Sequence, residues 1–103
     1  MAVPGAPLRT NPEDVFIDNT GMIYVLDVFN HLVLKLDSNG NLKSTWGGKG
    51  TENGKLFYPL GMSGTNNGII YVADEFTHRI QKFSVLNLNT ISNSSGSPAQ
   101  LLH

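Results

Sequence analysis

At 103 residues the chain has room for one small domain. Seven basic and eight acidic residues leave a net charge of −1, which excludes a strong electrostatic pull toward nucleic acid or anionic membrane. There is no cysteine, which excludes disulfides and thiolate metal sites and leaves the redox compartment open.

Residues 1–11 are rich in Pro and Gly and lack apolar periodicity, so they read as an irregular lead-in. They carry no basic stretch followed by a long apolar one, so they do not read as a signal peptide. No later run approaches the ~18 apolar residues of a membrane span. A cytoplasmic location follows by default.

Val15 to Asp18 is a short β-prone run. Asn19-Thr20-Gly21 is turn chemistry, because Gly and Asn tolerate positive φ. Met22 to Leu26 and Leu32 to Leu36 are the next strands, with a loop from Asp27 to Asn30 between them. Asp37-Ser38-Asn39-Gly40 predicts a hairpin, since Asn-Gly between apolar runs is a strong short-range signal. Leu42 to Trp46 is the fourth strand, and a Gly-rich connection runs from Gly47 to Lys55. The pattern then restarts with Leu60 to Ser63, the turn Asn66-Asn67-Gly68, Ile69 to Ala73 and Arg79 to Phe83. A degenerate fourth strand is expected between Val85 and Ile91, and residues 92–103 read as a disordered tail.

The restart is a repeat. Gly21-Met22-Ile23-Tyr24-Val25-Leu26-Asp27 returns as Gly68-Ile69-Ile70-Tyr71-Val72-Ala73-Asp74, and His31 returns as His78, at a constant offset of 47. Between Pro12–Asp37 and Pro59–Ser84, 10 of 26 positions are identical without a gap, which marks a repeat architecture. The second strand of each unit is nearly continuously apolar, whereas a sheet with one wet face should alternate. Repeated four-stranded units covered on both faces point to an all-β fold: two antiparallel blades of an incomplete β-propeller. The first unit with its connection spans 12–58, and the second spans 59–91.

Pro-x-x-Val/Met, then Gly-x-Ile-Tyr-Val-x-Asp, then x-Phe-x-His and an apolar-basic strand, resembles the NHL repeat. Ile70 to Asp74 with His78 to Phe83 is the closer copy, and Trp46-Gly47-Gly48 is similar to that family's fourth strand and exit loop. Glu13-Asp14 stands where the family usually has glycine, Leu32-Val33-Leu34 replaces Arg-Ile-Gln, and Thr77 replaces Asn. The resemblance implies a propeller scaffold that presents loops to a partner. Propellers have 4–8 blades, so two units imply a fragment of a larger propeller, further blades, or self-association.

No catalytic constellation and no cofactor or metal site is expected. His31 and His78 each read as fixing the loop after the second strand, because equivalent positions on stacked sheets lie ~10 Å apart. Asp27 and Asp74 read as acceptors for backbone N–H groups of the following turn. Tyr24, Tyr71, Gly21 and Gly68 complete the structural motif. Asp37 to Asn41 superficially resembles a calcium loop, but Gly40 is at the fourth position and Gly48 stands where a bidentate Glu belongs.

Strand parity places one set of loops on the same face as the inter-unit connection. That face collects Phe29, Asn30, His31, Lys49, Glu52, Lys55, Phe76, Thr77 and His78. Phe29 and Phe76 either meet a partner there or tuck under their own loops. The expected function is a non-catalytic module binding a protein partner through these loops. The alternatives are an RNA-binding NHL propeller, weakened by the scattered lysines, and a fragment of a propeller enzyme of amidating-lyase or lactonase type.

Overall fold

The computed structural model describes residues 9–84 and the backbone of residues 100–102. These residues form two antiparallel sheets, and among them there is no helix long and apolar enough to cross a membrane. The first sheet is built in chain order from β1 (Pro12–Ile17), β2 (Ile23–Asp27), β3 (Leu32–Leu36) and β4 (Leu42–Gly47). The second repeats the plan with β5 (Pro59–Gly64), β6 (Ile69–Asp74), β7 (Arg79–Ser84) and β8 (Gln100–Leu102).

The last strand differs from expectation. The segment 85–91 lies outside the described residues. The strand beside β7 is β8, inside the stretch 92–103 expected to be a disordered tail, with Leu101 opposite Gln81. An uncovered β7 would leave a row of backbone N–H and C=O groups, and an extended segment satisfies them whatever its side chains. Backbone pairing of this kind leaves little trace in side-chain pattern.

Three turns share one design. Asp18 and Met22, Asp37 and Asn41, and Thr65 and Ile69 are each joined by an N–H to C=O bond of 2.9–3.0 Å across a three-residue loop. The third loop residue, Gly21, Gly40 or Gly68, has φ of +87° to +91°, where a side chain is strained. Asp18 Oδ1 accepts from Thr20 and Met22 N–H, and Asp37 Oδ1 accepts from Asn39 and Asn41 N–H, so each aspartate organises its own turn. The register also slips at the same place in both first strands, just after Pro12 and just after Pro59. Proline has no N–H to give the ladder, and a bulge beside it accommodates the loss.

The sheets stack face to face. Cross-strand register puts Phe16, Tyr24, Leu26, Val33 and Trp46 on one face of the first sheet. That face meets Met62, Ile70, Val72 and Phe83 of the second, and together with Leu56 they form the core. Trp46 sits between Tyr24 and Phe83, at ring distances of 6.4 and 6.3 Å. The first strands lie side by side: Met62 N–H donates to Asp14 Oδ2 at 3.0 Å, and Asn19 N–H donates to Asn66 Oδ1 at 2.9 Å. The Asn19–Asn66 bond joins two repeat-equivalent residues.

Phe16 reaches across this junction onto Gly64. A Cβ at Gly64 would stand 2.7 Å from the Phe16 ring and from Ile70 Cδ1. Overpacking of this kind costs about 1–3 kcal/mol. Gly64→Ala should therefore lower the urea midpoint, and adding Phe16→Leu should cost less than the sum of the two single changes. Strict additivity in that double-mutant cycle would contradict the Phe16–Gly64 contact.

Candidate functional site

Each β2–β3 and β6–β7 connection begins with a buried aspartate and ends with a histidine at positive φ, +58° for His31 and +56° for His78. Histidine is among the few side chains enriched in that left-handed region. Asp27 Oδ1 accepts from Phe29 N–H at 3.0 Å, Asn30 N–H at 3.2 Å and Asn11 N–H at 3.0 Å, and Oδ2 accepts from Asn30 Nδ2 at 2.7 Å. Asp74 accepts from Phe57 N–H on both oxygens at 3.1 Å. Both carboxylates thus hold the chain that leads into their own sheet's first strand. Burial pushes the Asp74 carboxyl above its ordinary value.

The chain between the sheets crosses the same end of the molecule. Gly48 N–H donates to the His31 carbonyl at 2.7 Å, and Leu56 N–H donates to the Gly48 carbonyl at 2.8 Å. Gly47 has no room for a Cβ, which would stand 2.9 Å from that His31 oxygen. Gln81, fully buried on β7, takes Gly54 N–H on Oε1 and gives Nε2 to the Lys55 carbonyl. Arg79 donates to the Glu52 carbonyl at 2.9 Å. This staple delivers Phe57 and Tyr58 to the middle of the loop face.

There they assemble a row of rings. Phe57 stacks on Phe76 at 4.2 Å, and His31 lies 5.7 Å from Phe57 and 5.0 Å from Tyr58. Lys49 Nζ stands 5.0 Å from the Phe57 ring centre, within cation–π range. Tyr58 and Phe76 keep half or more of their surface exposed and line a 310 Å³ groove with Glu75 and His78. Tyr58 has φ +55°, an unusual value for a bulky residue.

The structure brings His31, Lys49, Phe76 and His78 to this row, though His31 is buried and His78 exposed. Phe29 stands with Arg9 instead, 5.1 Å from ring centre to guanidinium, and is also more than half exposed. Asn30 is occupied with Asp27 and the Arg9 carbonyl. Lys55 Nζ reaches the Gly47 carbonyl, and Thr77 is half-buried. Tyr24 lies in the core, its hydroxyl raised to about 12 by burial and by the Asp18 carboxylate, whereas Tyr71 lies on the outer face of the second sheet.

Phe57, Tyr58, Glu75 and Gln81 do not stand out in the sequence as site residues. The one local signal is an aromatic pair, Phe57-Tyr58, outside any strand pattern. Among the described residues no three His, Cys, Asp or Glu side chains gather.

His31 Nδ1 accepts the Tyr58 N–H at 2.9 Å, which requires the neutral ring. Burial, with Lys49 nearby, holds its pKa below the ordinary 6.5. A depressed folded pKa means stability is fully present above the unfolded value and falls as pH drops through the folded one. The wild-type urea midpoint should fall from pH 7.5 to pH 5.5. His31→Asn, which keeps an acceptor and tolerates positive φ but does not titrate, should show a shallower fall. Parallel slopes for the two proteins would contradict this assignment.

The chain matches no protein-family model and no curated protein.

Proposed function

We propose that the chain is a pair of NHL-type propeller blades that binds a protein partner through its loop face. Two four-stranded meanders whose first three strands are in 47-residue register, stacked with β1 beside β5, support the blade reading. The observation that carries the binding reading is Tyr58. It is bulky, half exposed and held at positive φ, a conformation that costs about 1–3 kcal/mol for a non-glycine residue. Glycine would sit there without that cost, so the tyrosine ring stands on the surface at the expense of stability. Beside it, Phe76 adds a second exposed ring, and Lys49, Glu75 and His78 supply polar groups. Exposed aromatics ringed by polar side chains suit a protein or peptide ligand.

The test uses the full chain immobilised against a phage-displayed random peptide library. Selected peptides should lose about tenfold or more in affinity for Tyr58→Gly and for Phe76→Ala, the size expected of a hot-spot truncation. They should bind Ser63→Ala, on the outer face of the second sheet, unchanged. Peptides that bind Tyr58→Gly and Phe76→Ala as tightly as wild type would overturn the loop-face assignment. Fluorescence anisotropy with a uridine-rich RNA oligonucleotide should show no binding at physiological salt. Binding that weakens in Lys49→Ala would move the reading to RNA.

A further inference from the structure

The internal sheet junction joins two different faces. In repeat register, Tyr24, Leu26 and Val33 of the first sheet correspond to Tyr71, Ala73 and Ile80 of the second. Met62, Ile70 and Val72, which they pack against, correspond to Val15, Ile23 and Val25. The stack therefore ends in one face of each kind. The outer face of the second sheet carries Tyr71, Ala73 and Ile80, with a 360 Å³ groove between them and Ser63. The outer face of the first sheet carries Val15 and Ile17, exposed on β1, Ile23 and Val25, half-buried on β2, and Leu34 and Leu36, buried on β3. Val15, Ile17 and Ile80 are each exposed over 44% or more of their surface, and among the described residues no other sheet lies on either face.

We propose that these two faces dock on each other between copies of this chain, the second sheet of one copy against the first sheet of the next. The occupant is written in the internal junction, where the same two kinds of face already meet. Its hydrogen bond carries over as well. Asn19 N–H donates to Asn66 Oδ1 inside the chain, and the outer junction sets Asn66 N–H of one copy against Asn19 Oδ1 of the next. Ala73 stands where Leu26 does and Ser63 where Phe16 does, so the outer junction is less filled than the inner one. Association is accordingly reversible and concentration-dependent. A contact between unlike faces is heterologous, and it joins copies head to tail. The proposal rests on the blade-pair reading above, not on its partner-binding half.

The test is sedimentation velocity over a roughly hundredfold concentration range. Wild type should gain mass with concentration. Ile17→Glu and Ile80→Glu, each blocking one face, should each stay at 11.2 kDa, the mass of one chain. An equimolar mixture of the two variants retains one intact face of each kind and should stop at a dimer. Circular dichroism checks that each variant keeps its strands, with Val15→Glu and Ala73→Glu as substitutes for one that does not. A monomeric wild type, self-association of either variant alone, or a mixture that stays monomeric would each overturn the proposal. Peptide capture by the loop face is read separately, so self-docking and partner binding fail independently.

Discussion

Two buried carboxylates at the ends of β2 and β6 decide where each sheet begins. Asp27 takes the N–H of Asn11, and Asp74 takes the N–H of Phe57, each one or two residues before the proline that opens a first strand. A hydrogen bond to a charged group contributes about 1.5–3 kcal/mol, and these are the links between each strand pair and the chain that enters it. The inner strands β1 and β5 are thus anchored at one end, and their side-by-side contact across the junction follows. The two anchors are unequal. Asp27 has four donors and organises its own turn, whereas Asp74 takes the Phe57 N–H on both oxygens and has a carboxyl raised by burial.

The same chain that Asp74 anchors also builds the loop face. Gln81 and His31 grip the connection from opposite sheets, one through Gly54 and Lys55 and the other through Gly48 and Tyr58. Gln81 departs from its repeat equivalent Leu34, and it belongs to the core face of its sheet while spending its amide on backbone groups that the connection leaves unpaired. The rigid crossing then fixes Phe57 and Tyr58 in place with little freedom of their own. Preorganised rings lose little entropy when a ligand arrives, which makes such a row better suited to binding than the same residues on a loose loop.

How much of this could be read in the sequence depends on the range of each interaction. The seven strands from Pro12 to Ser84 lie within a few residues of their expected positions because period, turn glycines and apolar runs are local signals. Gly21, Gly40 and Gly68 are legible for the same reason, since positive φ needs glycine, and so is Asp27, which accepts from its own following turn; Asp74, expected to do the same, instead accepts from the Phe57 N–H, a partner no local pattern announces. β8 was not legible, since it is recruited by a backbone edge far away in the chain. Phe57 and Tyr58 were not legible as site residues, because their roles depend on a crossing held by Gln81, 23 or more residues further on.

The two histidines show why repeat identity does not carry over to role. His31 and His78 occupy the same loop position with nearly the same φ, yet one is buried against two rings and the other is exposed. Over the first loop the inter-sheet connection returns through Leu56, Phe57 and Tyr58 and closes on His31; among the described residues the corresponding position at the second is a groove beside Ala73, Asp74 and His78. In a repeat stack each unit is completed by its neighbour, so a residue's environment is set by its place in the stack as much as by its own identity. The groove at His78 lies at the position that Phe57 and Tyr58 fill beside His31, so one loop sequence yields a buried ring in one unit and an exposed ring in the other.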